Sequence, residues 1–296
     1  IRDRVGRALL KHEPDNLQLI GNTARSAFFG NQFEYFGELC DKWTALQGSL
    51  PPELQPLFDV HDKLAADWKT EQQLREREAL NNELPRIAFE LRNGSVIVEL
   101  FEDQFPVVVN NLIWLIELEE KPFFEDIPFF FVLKHQFSVT GSRTEDGSEV
   151  RPLTYATSEQ RARARQIFRG SVGLDIRRIS GGAVVTPGCC FFQIPLPEMQ
   201  DSTMVIGRVV EGMELIDSLQ KTHELGEDLT PTAIEEAIPD RLVRVTVNRK
   251  PEGKQYQYID VQAQLRQPTV DPLPDQNRND DPDNPPNDQN QPNDQN

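Results

Sequence analysis

Apolar residues in the first 84 positions recur at three- and four-residue spacing, as in Val5, Leu9 and Leu10 and again in Leu17, Ile20 and Ala24. This spacing predicts amphipathic helices. Pro14-Asp15-Asn16 reads as a helix opening and Gly30-Asn31 as a break, with a second amphipathic helix after it. At Pro85 the period changes to two. Ile87, Phe89 and Leu91 alternate, Asn93-Gly94 follows, and Val96, Val98 and Leu100 alternate again. Asn-Gly between alternating runs predicts a β-hairpin. Pro106 stands in the first turn of an apolar helix through Leu118, where its missing N–H costs nothing. Further strands are expected near 129–133, 136–140, 171–176, 189–194 and 204–210, a second helix from about Gly212 to Leu219, and a last strand from Arg241 to Arg249.

Two stretches carry more than periodicity. EPDNLQLIGNTARSAFFGNQFEYFGELCDKW resembles a tetratricopeptide repeat, which makes it the last unit of an array followed by a capping helix from Pro52 to Leu84. A generic helical hairpin packed on the next domain fits the same residues. Between Pro85 and Lys250, the runs FPVVVNNL, FFEDIPFFFVLKHQFSVTGS and CCFFQIPLPEMQDSTMVIGRVVEGMELIDSL together resemble the cyclophilin-type peptidyl-prolyl isomerases. Residues 142–167 depart from that family's glycine-rich loop. The resemblance implies an α+β, mainly β fold: a closed antiparallel eight-stranded barrel with two capping helices, preceded by an all-α helical-repeat segment. The expected organisation is 1–84 helical, 85–250 cyclophilin-like, 251–270 connecting, and 271–296 a disordered acidic tail.

Rotation about a prolyl bond is slow because amide resonance raises a barrier of about 18–20 kcal/mol. A catalyst holds the proline ring in an apolar pocket and bonds the prolyl nitrogen once twisting frees its lone pair, so the donor acts only in the twisted state. In the family that donor is an arginine, and by resemblance its slot here is Val132, which leaves no catalytic residue assigned. The resemblance also implies a substrate groove of Phe137 and Phe192 as aromatic floor, with Met199 near the aliphatic position. Thr140 stands in the family's glutamine slot, Cys190 at the end of its Asn-Gly-Ser-Gln slot, and Thr203 in its late histidine slot. The family's tryptophan that helps bind cyclosporin has no equivalent here and Glu198 lies close to its position, so weak cyclosporin binding is expected. Arg177, beside Arg178, falls on the groove wall and is the candidate substitute donor, with two solvated loop arginines as the plainer alternative. Alternation puts Lys134 on the side of Val132 and His135 away from it.

Composition narrows the function classes. Forty-eight acidic residues against 31 basic ones give a net charge of −17, which disfavours nucleic acid and anionic lipid. Residues 271–296 hold seven Asp against one Arg and too few apolar groups to fold. Arg161, Arg163, Arg165 and Arg169 form a basic cluster that suits an acidic peptide or that tail, or is simply a solvated face. Cys40, Cys189 and Cys190 read as buried apolar residues, and no metal or cofactor is expected. The longest apolar run, VVVNNLIWLIEL, is short of the ~20 residues a membrane span needs. The chain starts at Ile1 without methionine, so a removed leader or anchor stays open, as does the compartment.

Three functions follow. The leading one is a cyclophilin-like module that binds a proline-containing client and other proteins through its helical repeat, degenerate in catalysis. The second is a weakly active isomerase assisting protein folding. The third is a structural domain whose groove is filled by Phe131 and Val132.

Overall fold

In the computed structural model the side-chain oxygen of Asn16 accepts the Leu19 N–H at 3.1 Å and opens the second helix, as the Pro-Asp-Asn sequence predicts. The structure describes residues 2–81, 83–118, 123–141, 152–180, 182–226 and 230–260, so the tail 271–296 and the loop 142–151 lie outside the described residues. The helical segment comprises α1 (Arg2–Leu10), α2 (Leu17–Phe29), α3 (Phe33–Gln47), α4 (Gln55–Asp59) and α5 (His61–Asn81). The expected single helix from Pro52 to Leu84 is thus two. Gly30 and Asn31, the latter at φ 62°, make the break between α2 and α3. Buried Ile20, Ala24, Ala27 and Phe28 form one face of α2 and Phe33, Phe36 and Cys40 one face of α3. Edge-to-face contacts of Phe28 with Phe33 (5.4 Å) and Phe36 (5.0 Å) join them.

The rest of the compact unit 1–261 is dominated by one sheet. Its elements are β1 (Arg86–Leu91), β2 (Gly94–Leu100), α6 (Pro106–Ile116), β3 (Glu125–Pro128), β4 (Phe131–Leu133), β5 (Phe137–Thr140), β6 (Thr154–Tyr155), α7 (Ser158–Ala162), β7 (Ser171–Ile179), β8 (Gly182–Phe192), β9 (Thr203–Glu211), α8 (Met213–Ser218), β10 (His223–Leu225), β11 (Pro231–Ala233) and β12 (Arg241–Arg249). The ladder runs β11-β10-β4-β5-β8-β7-β9-β2-β1-β12-β3, with β6 pairing β8. Counting β3 and β4 as one bent strand and setting aside short β6, β10 and β11 leaves the eight expected staves. The expected closed ladder is corrected: pairing with β12 ends at Pro128 and pairing with β5 begins at Phe131, so the ladder is interrupted at Phe129–Phe130. A bend there re-aims the strand while Phe129 fills the interior. Leu91 pairs Gly94, so the hairpin loop is Arg92–Asn93, one residue before the expected Asn-Gly.

Both helices expected against the barrel are present: α6 buries Val108, Val109, Leu112, Ile113 and Leu115, and α8 buries Ile216. The helical segment shares its core with the barrel through Phe168, whose ring lies 4.8 Å from Trp68 and 6.1 Å from Phe33. Asn31 and the Arg169 backbone exchange two hydrogen bonds of 3.1 Å. On α5, Glu71 and Glu78 lie seven residues apart on one face and meet arginines of the barrel. Arg165 bonds Glu78 and lies 3.5 Å from Glu71, while Arg208 reaches Glu78 at 2.6 Å and Glu99 at 2.5 Å. Arg86 (2.8 Å) and Arg249 (3.1 Å) complete the shell around Glu99. After β12 the chain doubles back over α6. Asn111 holds Ile259 through both its backbone N–H (2.8 Å) and its carbonyl (2.9 Å), and buried Tyr256 donates to Glu102.

Candidate functional site

A cavity lined by four phenylalanines, Phe123, Phe130, Phe131 and Phe137, lies at the outer face of β4, β5, β7 and β8. It has a volume of about 280 Å³, near the lower end of the ~300–1,000 Å³ typical of ligand pockets. Alternation builds its floor: Phe137 and Val139 of β5 face it, while Ser138 and Thr140 point into the barrel and are buried. Phe131 stacks on Phe137 with ring centroids 5.2 Å apart and planes 11° apart, and His223 stacks on the other face of Phe131 at 4.1 Å. Burial lowers the His223 imidazole below its ordinary pKa, which favours the neutral ring. Met199, from the short turn Pro197–Met199, closes one side, with Thr203 and Cys190 beside it.

Six of the residues expected at the site line this cavity: Phe131, Phe137, Arg177, Cys190, Met199 and Thr203. Three do not. Val132 is 1% exposed and faces the barrel interior, its N–H bonded to Thr222 Oγ1 at 2.8 Å. Thr140 is fully buried and donates to the Pro128 carbonyl at 3.0 Å. Phe192 pairs with Phe137 across β5 and β8, its ring 6.2 Å from that of Phe137, and is fully buried rather than lining the cavity. A one-residue difference along a strand exchanges its faces, so the groove-facing residue of β4 is Phe131 and not Val132. Lys134 and His135 do not alternate at all. They form the turn between β4 and β5, with His135 at φ 68°, and line a different groove.

One cation lines the cavity among the described residues, Arg177, and its Nε donates to Asp175 Oδ2 at 2.9 Å. Asp175 escaped the sequence reading although it stands two residues from Arg177 on the same strand and therefore on the same side. The register with β8 shifts between Leu174 and Ile176, with the extra residues on β8. Thr186 Oγ1, 3.5 Å from Asp175 Oδ2, supports the pair from β8. Gly141 sits at φ 90° with Pro187 so close that a Cβ would lie 2.4 Å from its carbonyl oxygen, so this corner of the wall has to be glycine. Phe123 and Phe130 also line the cavity and were missed, since adjacent phenylalanines give no period.

All three cysteines are buried and carry free thiols. Burial pushes the Cys189 thiol up to about 12, and burial, then Cys189 and Asp175, push Cys190 well above its ordinary value. Burial and then Asp41 do the same to Cys40, to about 12. The arrangement offers an apolar, aromatic slot with a single fixed guanidinium at its wall, suited to a small ring held by contact rather than by covalent chemistry.

The sequence profile of the family described as cyclophilin type peptidyl-prolyl cis-trans isomerase/CLD matches residues 86–238. The chain belongs to this family. No curated protein sequence matches it. Among solved structures it is similar to a Cryptosporidium parvum cyclophilin type peptidyl-prolyl cis-trans isomerase, at 13% identity over 57% of this chain and 99% of that one, TM-score 0.41. It is also similar to the Mimivirus cyclophilin, at 18% identity over 56% of this chain and 89% of that one, TM-score 0.41. The cyclophilin match runs from β1 to just short of β12 and leaves the helices α1 to α5 outside it. No helix of the described residues is long and apolar enough to cross a membrane.

Proposed function

We propose that the chain is a proline-peptide-binding cyclophilin-type module with little isomerase activity, which holds a client at the barrel and other proteins through its helical segment. One observation carries this reading: the groove-facing position of β4 is Phe131, stacked on Phe137, where catalysis requires a donor to the prolyl nitrogen. A phenyl ring adds grip on a proline and nothing to the twisted state. A donor that acts only on developing charge is worth ~10²–10³-fold in rate, and losing it leaves binding intact. Weak cyclosporin binding belongs to the same reading, with Glu198 near the tryptophan position.

The second reading, a weakly active isomerase, is favoured by Arg177. Asp175 fixes its guanidinium at the cavity wall, where it is positioned to reach a bound imide. Exchange spectroscopy on an Ala-Pro peptide separates the two. Peptide-induced shifts at Phe137 and Met199 with cis–trans exchange no faster than in buffer are expected. Exchange at an ordinary cyclophilin's rate, abolished by Arg177→Ala with binding retained, would establish the second reading. Absence of any shift would show the groove to be closed, as the purely structural alternative requires.

A further inference from the structure

A second groove, of about 1030 Å³, lies between α1, α2 and the 134–136 turn that joins β4 to β5. Val5 and Leu9 of α1 stand on its wall 53% and 48% exposed, with Phe29 and Ile194 opposite. Apolar side chains gathered on one concave surface mark a docking site rather than scattered surface hydrophobes. Val5 and Leu9 are four residues apart, so they form one ridge of the helix surface, the kind that seats between the ridges of another helix. The lining carries three cations, Arg25, Lys134 and Arg169, against one carboxylate, Asp217, in a chain whose net charge is −17. Arg169 is held by Asp217 at 2.5 Å, so Arg25 and Lys134 set the sign of the groove.

A third observation is independent of both. Gln193 lines the groove and is 2% exposed; its Nε2 donates to the Ile216 carbonyl at 2.8 Å, and its Oε1 has no hydrogen-bond partner. A buried acceptor left unpaired costs ~1–3 kcal/mol, a cost that a donor from a bound chain removes.

We propose that this groove docks an acidic amphipathic helix of a partner protein. Its apolar face lies on Val5, Leu9 and Phe29, its carboxylates meet Arg25 and Lys134, and a side-chain donor reaches Gln193. The turn 134–136 also joins the strands that carry Phe131 and Phe137, so the docked helix and the prolyl cavity lie on either side of one hairpin.

The test uses the full chain and a fluorescein-labelled, stapled helical peptide with leucines at i, i+4 and i+7 and glutamates on both flanks. Anisotropy is read at low and physiological salt. The glutamate peptide is expected to bind at least ~10-fold tighter than its lysine-flanked counterpart, more so at low salt where charge steering is strongest. Arg25→Glu and Lys134→Glu are each expected to weaken it ~5–10-fold, and Leu9→Asp to abolish binding. These substitutions lie at exposed positions, and an unchanged thermal midpoint together with retained proline-peptide shifts at Phe137 shows that the fold and the other site are intact. Equal affinity for the two peptides, or no binding of either, overturns the proposal. So does Leu9-dependent self-association, which makes the occupant a second copy, or equal binding of a peptide of residues 271–296, which needs no apolar face.

Discussion

Phe131→Arg is the smallest change that puts a guanidinium over the aromatic floor of the cavity. The substitution removes two ring stacks, with Phe137 and His223, each worth ~0.5–1.5 kcal/mol, from a half-buried position that leaves the new charge access to water. The expected outcome is a folded protein whose cis–trans exchange on an Ala-Pro peptide rises ~10²-fold or more. Val132→Arg, the change the alignment suggests, carries the charge into the barrel beside buried Thr222 instead. An uncompensated buried charge costs roughly 3–5 kcal/mol, so that variant is expected to lose its cooperative unfolding transition. Equal stability of the two, measured by denaturant melts, would mean that the faces of β4 have been assigned the wrong way round. At this scale the sequence singled out Phe137 and Met199, both of which line the cavity, because a family pattern fixes residue types. It did not carry which of two neighbouring residues faces the groove. That choice depends on the bend at Phe129–Phe130, which no local pattern records.

Beyond Trp68, which packs on Phe168, helix α5 is held to the barrel by charge. Glu78 bridges Arg165 and Arg208, and all three are nearly inaccessible. Glu78→Gln leaves two buried guanidinium groups short of their carboxylate, and a loss of roughly 3–5 kcal/mol is expected in urea titration. The loss should change little between low and high salt, since screening acts on exposed pairs. Glu99 adds a pH signature. Burial alone raises its pKa, but Arg86 and Arg208 outweigh burial and hold it below the ordinary 4.5. A carboxylate with a depressed folded pKa contributes stability above its unfolded value and loses it as pH falls through the folded one. The slope of stability against pH below about 4.5 is therefore expected to be steeper in the native chain than in Glu99→Gln. Identical slopes would show the shell around Glu99 to be electrostatically idle. The helices themselves were legible, from spacing and from Asn16 and Gly30. The role of the basic cluster was not: Arg161 and Arg163 are exposed as a solvated face should be, but Arg165 is buried against carboxylates 87 and 94 residues away, and sequence spacing cannot encode such a partner.

Residues 2–81 and the barrel share a core, and this determines how the whole unit unfolds. Phe168 leaves the barrel to sit between Phe33 and Trp68, Asn31 pairs with the backbone of Arg169, and the α5 carboxylates neutralise Arg165 and Arg208. Domain stabilities are only about 5–15 kcal/mol, so interactions of this size across a junction couple its two sides. The chain has three tryptophans: Trp43 and Trp68 in the helices and Trp114 in α6. Single-tryptophan variants should therefore report one common denaturant midpoint, whichever tryptophan is kept. Deleting residues 1–84 uncovers Phe168, strips Arg165 of both Glu71 and Glu78, and leaves Arg208 with Glu99 alone. The shortened protein is expected to lose its cooperative transition or to aggregate rather than to behave as an independent barrel. Truncation after Lys250 is the matched control on the other side of the barrel. It strips the Ile259 contact from α6 and the Tyr256 contact from Glu102 and is expected to lower the midpoint while keeping the transition single. Two separate midpoints for the helical and α6 tryptophans, or an 85–260 fragment as stable as the full chain, would mean that the shared core is only an adhesion between independent domains.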